Sequence, residues 1–303
     1  MTGAERHGRG LSEETPTPLP PTTWNGHLLH WGAKTHVMAI LNLTPDSFSG
    51  DGLNGNSNVA VTAALRAVDA GADILDLGAE STRPGHVPIS AEEELARLLP
   101  PLVAIRTCTN VLLSVDTSKA VVAAEAIAAG ADLVNDVRGF TADPEMAAVV
   151  ARAGVPAVLM HDVPPEPGTD LLTSILRELS RRLDRAVAAG VAWDRLIVDP
   201  GFGFGKDWRQ NLELLRRFGE LKALGRPILS GTSRKSMIGR VLGVPEDDRL
   251  EGTAATVSLA IASGADIVRI HDVCAMARVA RMTDAVVRGA PREPLSWPGA
   301  PRP

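Results

Sequence analysis

One order of apolar and polar positions recurs along most of the chain. An alanine-rich stretch with helical spacing stops at a glycine, and a short apolar segment ending on a polar residue follows within a few positions. Glycine commonly ends helices in the left-handed conformation, and the apolar segments have the length of strands. A repeated helix, turn and strand predicts an α/β fold. The glycines of the repeat are Gly71, Gly130, Gly154, Gly190, Gly225 and Gly264.

Two further apolar segments complete the series. VMAILN (Val37 to Asn42) comes first, and NVLLSVD (Asn110 to Asp116) follows an asparagine, which tolerates the same left-handed cap. Strands that are apolar on both faces fit a parallel sheet covered by helices. Eight strands with helical connections favour a single (β/α)8 TIM barrel, over residues 24–288, rather than an open doubly wound sheet.

The two ends of the chain have a different character. Residues 1–23 and 289–303 are polar and rich in proline, so they cannot bury enough apolar surface to offset the entropy of ordering. We expect both termini to be disordered, as an extension and a tail. Residues 24–35 predict a short N-terminal hairpin with Asn25-Gly26 as its turn.

Composition and charge argue against several kinds of partner. The net charge is −5, aromatic residues make up 3% of the chain and tyrosine is missing, so we expect no nucleic-acid binding. No apolar run reaches about 18 residues, and the N-terminus lacks the apolar core of a signal peptide. We therefore expect a cytoplasmic protein with no membrane association. The two cysteines, Cys108 and Cys274, fit a reducing compartment.

Every predicted strand ends on or near a polar or ionisable residue. In a barrel the carboxyl ends of the strands form one mouth, where ligands bind, so we expect these side chains to converge. A single strand-ending Asp or Asn often only caps the next helix, but so many polar groups around one mouth would be costly to desolvate without a ligand. They are Asn42, Asp76, Asp116, Asn135, Asp136, His161, Asp199, Ser230, Arg269, His271 and Asp272.

The charges among them indicate two ligand chemistries. The carboxylates of Asp76, Asp116 and Asp199 suit a heterocycle edge that is rich in N–H groups. Side chains that suit phosphate or pyrophosphate lie on other segments near the same mouth. These are Arg83, Lys235, Arg269 and His271. A zinc site is not expected because His161 and His271 stand alone on their strands, and no G-x-S-x-G motif supports acyl transfer.

The glycine-rich segment LIVDPGFGFGK (Leu196 to Lys206) has two interpretations. Its backbone N–H groups could cradle a phosphate, although neither a dinucleotide-binding nor a P-loop motif is present. Alternatively, the glycines turn the chain and make room for a flat ring, and the carboxylate of Asp199 binds the ligand; we favour this interpretation. Two loops rich in Gly, Pro and Ser, residues 43–58 and 80–89, predict mobile lids over the mouth.

Eight segments of the chain together resemble one enzyme family, dihydropteroate synthase of the folate pathway. They occur in the order of the family and span residues 36–288. In chain order they are NLTPDSFS (Asn42 to Ser49), GADILDLGAESTRPG (Gly71 to Gly85), SVDTSK (Ser114 to Lys119), NDV (Asn135 to Val137), MH (Met160, His161), DPGFGFGK (Asp199 to Lys206), SRKS (Ser233 to Ser236) and VRIHDV (Val268 to Val273).

The resemblance implies an activity and its partners. A barrel of this family condenses 6-hydroxymethyl-7,8-dihydropterin pyrophosphate with 4-aminobenzoate, and the products are 7,8-dihydropteroate and pyrophosphate. It also implies Mg2+ as a cofactor that binds with the leaving group, and a homodimer.

The resemblance further implies a role for individual residues. The pterin would be bound by Asp76, Asp116, Asn135, Met160, Asp199 and Lys235. The pyrophosphate would meet Thr82, Arg83, Arg269 and His271, with Arg269 also against the ring face and Asn42 as the ligand of Mg2+. The aminobenzoate site would contain Thr82, Pro84 and Ser236. Catalytic roles fall to Asn42, Arg83, Lys235, Arg269 and His271.

Two segments depart from the family pattern. The first loop commonly reads SFSDGG, whereas here Ser49-Gly50-Asp51-Gly52 places the second aspartate one position later. Asp162-Val163 follows Met160-His161, where a methionine is common, so that wall of the pterin pocket is expected to differ.

Two alternative functions would use the same barrel. A pterin-binding methyltransferase domain shares the carboxylates but has no use for the SRK segment, the STRPG loop or the Arg and His set for pyrophosphate. A non-catalytic pterin-binding paralogue is suggested by the altered first loop.

Overall fold

The computed structural model describes residues 19–44, 57–81 and 87–290. Its first element is an antiparallel hairpin of strands β1 (Thr22–Trp24) and β2 (His27–Leu29). Asn25 and Gly26 form the predicted turn, with φ values of 44° and 84°. The predicted disordered extension to residue 23 is wrong at its end, because Thr22 is fully buried and donates from Oγ1 to the carbonyl of Asp194, 2.6 Å away. Residues 1–18 and 291–303 lie outside the described residues.

Eight parallel strands follow the hairpin, and they confirm the predicted (β/α)8 barrel. They are β3 (His36–Asn42), β4 (Ile74–Gly78), β5 (Leu112–Asp116), β6 (Leu133–Asp136), β7 (Ala157–Met160), β8 (Leu196–Asp199), β9 (Leu229–Ser230) and β10 (Ile267–Ile270). Hydrogen bonds join them in the order β8-β7-β6-β5-β4-β3-β10-β9. The remaining seam is narrow, with one bridge between Val198 and Ile228 and a bond from Val198 N to the carbonyl of Pro227 at 2.9 Å.

Helices connect the strands and cover the sheet. They are α1 (Ser57–Asp69), α2 (Ala91–Cys108), α3 (Ala120–Ala128), α4 (Met146–Ala153), α5 (Leu171–Ala188), α6 (Trp208–Arg216), α7 (Ser236–Leu242), α8 (Leu250–Ala262) and α9 (Val273–Val287). The six glycines of the sequence repeat all have positive φ, from 62° to 107°, which confirms them as turns between helix and strand. Within the described ranges, no helix has both the length and the apolarity to cross a membrane.

The hairpin lies at the end of the barrel opposite the mouth. Trp24 Nε1 donates to the carbonyl of Asp132, 2.9 Å away, and Thr22 contacts Asp194. Asp132 and Asp194 precede β6 and β8, so these contacts are at the amino ends of the strands. The carboxyl ends are therefore left to the connecting loops, where a barrel places its site.

Candidate active site

Arg269 is the centre of a charged network at the carboxyl ends of the strands. Its Nε donates to Oδ2 of Asp76 at 2.6 Å, and its Nη2 donates to Oδ2 of Asp116 at 2.7 Å. Asn135 Nδ2 also donates to Oδ2 of Asp76, at 3.1 Å. The structure thus brings together four of the side chains that were predicted to converge, from β4, β5, β6 and β10.

The network leaves hydrogen-bond capacity for a ligand. Both carboxylates are buried, and Oδ1 of Asp76 and Oδ1 of Asp116 accept no hydrogen bond from the part of the chain that the structure describes. Burial lowers the pKa of Arg269, but the two adjacent carboxylates raise it more, so the guanidinium stays charged. Burial raises the pKa of Asp116 to about 7, against the lowering effect of Arg269.

Asp199 is placed by the glycine-rich loop that follows β8. Its Oδ1 accepts from the backbone N–H of Gly201 at 2.7 Å, and burial raises the pKa of the carboxyl group against this bond and the nearby Lys235. Gly201 has φ 72°, and a Cβ there would lie 1.9 Å from the carbonyl oxygen of His161. Only glycine fits this close approach of two backbones.

The same loop argues against a phosphate cradle. Gly201 N–H is bound to Asp199, Gly203 N–H donates to Oδ1 of Asn211 at 2.8 Å, and Phe204 N–H donates to the carbonyl of Gly201 at 3.1 Å. Because these donors are used inside the loop, they are not available to an anion. The favoured interpretation, that the glycines shape the loop and the carboxylate faces a ligand, agrees with this geometry.

Lys206 is a buried cation whose contacts we did not predict from the sequence. Its buried Nζ lies 3.0 Å from Nδ1 of His161 and within 3.3 Å of the carbonyl oxygens of His161, Gly201 and Phe204. Burial lowers the pKa of Lys206 to about 7. The one available signal was a lysine directly after a glycine run that follows a buried strand.

Lys235 lies near Asp199. Its Nζ is 4.4 Å from the ring centroid of Phe204, and a Cβ on Gly203 would meet its Cδ at 3.0 Å. The preceding Arg234 has φ 56° and is held by Asp272, which accepts from its Nε at 3.0 Å and its Nη2 at 2.6 Å. Ser236, the first residue of α7, is exposed.

His271 differs from the cation that the sequence suggested. Burial, and then the neighbouring Arg269 and Arg234, lower the pKa of His271 to about 3, so the imidazole is neutral at pH 7. Its Nδ1 lies 3.0 Å from Oγ of Ser233. The side chain is therefore suited to donate or accept a hydrogen bond at the mouth without adding charge.

Two cavities lie near the carboxyl ends of the strands, and of the Arg269 network only Asp116 lines one of them. One, of about 690 Å3, is lined by Asp116, Val137 and Phe204 together with the loop residues Lys119 and Arg138. The other, of about 670 Å3, is lined by Asn42 and His271. Asn42 is half-buried at the end of β3. Thr82, Arg83 and Pro84, and most of the first loop with Asp51, lie outside the described residues.

Met160 forms part of the wall beside Asp199. The two residues are paired in register between β7 and β8, and the Met160 side chain is buried next to Gly201. Asp162, which stands where a methionine is common, forms ion pairs with Arg138 and Arg182, both at 2.8 Å. The departure noted in the sequence is thus part of a charged cluster, and Asp162 and Arg138 of this cluster line the first cavity.

The chain is similar in sequence to a known family of enzymes. The family model described as "Pterin binding enzyme" matches residues 38–271. A dihydropteroate synthase of Clostridium beijerinckii is 47% identical over 258 residues, which cover 85% of this chain and 96% of that protein.

Solved structures agree in both fold and sequence. The FolP dihydropteroate synthase of Clostridium difficile, solved in the presence of pteroic acid, is 46% identical with a TM-score of 0.82, over 86% of this chain and 99% of that one. The dihydropteroate synthase of Yersinia pestis in a sulfonamide drug complex is 41% identical with a TM-score of 0.83, over 88% and 98%.

Proposed function

The chain belongs to the pterin-binding enzyme family as a dihydropteroate synthase of folate biosynthesis, and we propose how its residues divide the reaction. The enzyme joins 6-hydroxymethyl-7,8-dihydropterin pyrophosphate to 4-aminobenzoate and releases pyrophosphate. The observation that carries the assignment of roles is the ring of strand-end carboxylates around Arg269, with two oxygens still able to accept hydrogen bonds.

The pterin is recognised by the carboxylates and amide at the mouth. Asp199 accepts two N–H groups from the amino-pyrimidinone edge, since an ionised carboxylate can accept a pair of parallel hydrogen bonds. Asn135, Asp116 and Asp76 meet the rest of the ring edge, and Met160 packs against the ring. Lys235, held over Phe204, places a positive charge next to Asp199.

The leaving group is met by Arg269, Arg83 and the neutral His271. Arg269 lies across the ring face and offers charge to the departing oxygen, while His271 contributes one hydrogen bond. Thr82 and Pro84 with Ser236 shape the aminobenzoate site. In this arrangement the arginines stabilise negative charge on the pyrophosphate, and the carboxylates bind the pterin ring.

Mg2+ fits as an ion that enters with the pyrophosphate. This ion keeps most of its waters and often binds through one or two protein oxygens plus substrate phosphates. Asn42 offers one amide oxygen at the mouth, and the described ranges contain no group of three or more His, Cys, Asp or Glu side chains able to hold a metal. When bound, the ion would neutralise charge on the leaving group.

We propose a dissociative displacement at the pterin methylene. This reaction needs no strong base. The bond between the pterin methylene and the pyrophosphate oxygen breaks first, and the electron pair leaves with the oxygen. The dihydropterin ring delocalises the resulting positive charge until the aminobenzoate nitrogen attacks the methylene and then loses its proton to water. Loops that exclude water protect the cation from hydrolysis.

Purified protein should release pyrophosphate when given the pterin pyrophosphate, 4-aminobenzoate and Mg2+. Release should fall to the blank when a chelator removes the metal and return when Mg2+ is added, because the ion neutralises the leaving group. A coupled phosphate assay measures the rate, and a sulfonamide should raise the KM for 4-aminobenzoate without changing kcat.

Two results would contradict this proposal. Tight pterin binding without pyrophosphate release would favour the non-catalytic paralogue. Methyl transfer from a methylated folate would favour the methyltransferase domain. Full activity in the presence of the chelator would contradict the proposed role of Mg2+ but not the proposed reaction.

We propose that two chains form a homodimer through the outer face of α8 and α9. Leu259, Met282 and Val286 are large apolar side chains that are 57%, 66% and 72% exposed. Thr283 Oγ1 donates to Oγ of Ser258 at 3.2 Å, so the two helices present one surface. Contiguous apolar side chains in solvent are typical of subunit contacts.

The exposed free cysteines also suit a cytoplasmic enzyme. Fractionation of cells would test this location.

Sedimentation equilibrium should therefore give twice the mass of one chain. Met282→Glu should shift the mass to that of a single chain, because it buries an unpaired charge in the contact. Val103→Glu, at a similarly exposed apolar residue on α2, is the matched control and should stay dimeric. A single-chain mass for the unmodified protein would contradict the proposal.

A further inference from the structure

Arg182 is the largest fully buried side chain of the described residues, although it is an arginine on an outer helix. It extends from α5 towards the barrel mouth. Its Nη1 donates to the carbonyl of Arg138 at 3.0 Å and also to the carbonyl of Met160. One guanidinium group thus joins the loop after β6 to the end of β7.

The backbone around Arg182 is shaped to admit it. Gly139 has φ 55°, and a Cβ at this position would lie 2.7 Å from Nη1 of Arg182 and 2.8 Å from the carbonyl oxygen of Met160. The turn itself is held by Asp136, which accepts from the N–H groups of Arg138 and Phe140, both at 2.8 Å. The guanidinium therefore contacts a turn that has little freedom to shift.

The charge of Arg182 is compensated on two sides. Nη2 forms an ion pair with Asp162 at 2.8 Å, and Nε forms one with Glu178 at 2.9 Å. Asp162 is also paired with Arg138. A buried ion pair is often no more stabilising than well-packed apolar side chains of the same volume, so stability alone does not account for this one.

The two carbonyls that Arg182 binds belong to neighbouring walls of the site. Arg138 follows Asn135 by three positions, and Met160 is paired in register with Asp199. A planar guanidinium with several donors can hold two carbonyls at a set separation, which a lysine cannot do as well. We propose that Arg182, neutralised by Asp162, is a positioning residue that fixes the loop after Asn135 against the Met160 end of β7 and so sets the shape of the pterin site on this side. The inference rests on the proposed pterin roles of these two residues.

The test compares variants that separate the charge from the carbonyl contacts. Arg182→Met leaves the buried side chain of Asp162 with only one of its two cations, Arg138. The double variant Asp162→Met with Arg182→Met removes both charges of the buried pair. Arg182→Lys keeps a charge but loses the fork of donors. Arg181→Met is the matched control, because Arg181 is exposed on the same helix and lies 3.7 Å from the same Glu178.

Arg182→Met should lower the melting temperature and raise the KM for the pterin pyrophosphate about tenfold, as expected for the loss of charged hydrogen bonds. The double variant should recover most of the melting temperature but keep the raised KM. The KM for 4-aminobenzoate should change less than about twofold in all variants. Arg182→Lys should resemble the double variant, and Arg181→Met should match the unmodified enzyme.

A double variant whose pterin KM returns to normal together with its melting temperature would overturn the inference, since Arg182 would then be only structural. If Arg182→Met does not accumulate, the double variant and Arg182→Lys give the same comparison. Calorimetry with the pterin pyrophosphate on the unmodified enzyme separates the two levels of the proposal. If the unmodified enzyme does not bind the pterin pyrophosphate, the assignment of the pterin site is wrong. If it binds, and every variant binds with the same Kd, only the proposed role of Arg182 is wrong.

Discussion

Asp199→Ala is expected to abolish measurable binding of the pterin pyrophosphate. The carboxylate is buried at the end of β8, and one of its oxygens is already held by the N–H of Gly201. Removing it takes away the acceptors that we propose for the amino-pyrimidinone edge. Two charged hydrogen bonds are worth about 3 kcal/mol or more, so the Kd should rise on the order of 100-fold at least. Isothermal titration calorimetry measures it.

Two further variants make this test specific. Asp199→Asn keeps the shape but offers a single neutral oxygen, so its Kd should lie between those of the unmodified enzyme and the alanine variant. Asp184→Ala removes an exposed carboxylate on α5 and should leave pterin binding unchanged. A Kd for Asp199→Ala within about twofold of normal would show that the ring edge binds elsewhere.

Arg269→Met is expected to reduce pyrophosphate release by about 1,000-fold or more, because it removes the cation that we propose acts on the leaving oxygen. It should also destabilise the fold, since Asp76 and Asp116 remain buried without their shared partner, at a cost of about 3–5 kcal/mol. Urea unfolding measures the second effect and the pyrophosphate assay the first.

A paired variant separates these two effects. Adding Asp116→Asn to Arg269→Met removes one uncompensated carboxylate, so part of the stability should return while activity stays low. Arg278→Met, on the exposed face of α9, is the control and should change neither property. Turnover of Arg269→Met within about tenfold of normal would argue against a catalytic role for this arginine.

The barrel was predictable because its signals are local. Six glycines with positive φ mark turns from helix to strand, and the strands are mostly apolar, so eight units could be counted without any knowledge of their contacts. The left-handed cap expected at Asn110 is wrong, because Thr109 ends α2 in an extended conformation and Asn110 has no positive φ. The polar strand ends followed from the same pattern, since parallel strands bring their carboxyl ends together. The beginning of β1 was missed because Thr22 is a polar residue. Its hydroxyl group is buried against the carbonyl of Asp194, which is far away in the sequence.

The buried cations were harder to predict. On α5 the residues Ile175, Leu179 and Ala186 are buried, and Arg182 lies on the same face at helical spacing. The helical period predicts that Arg182 faces the interior, whereas its charge favours solvent. The structure shows that it is buried, because Asp162 and the Met160 carbonyl supply partners for the guanidinium. Lys206 is similar, because its four acceptors come from two loops whose contact the sequence does not reveal.

The position of Arg269 on the last strand has a consequence for how the chain is synthesised. Asp76 and Asp116 leave the ribosome early, on β4 and β5, but their shared cation arrives only with β10, which pairs with β3 and so joins the beginning of the barrel to its end. Until then, water is the better environment for both carboxylates. We therefore expect burial of these two acids to be coupled to the docking of β10, which is the last strand of the barrel to be synthesised.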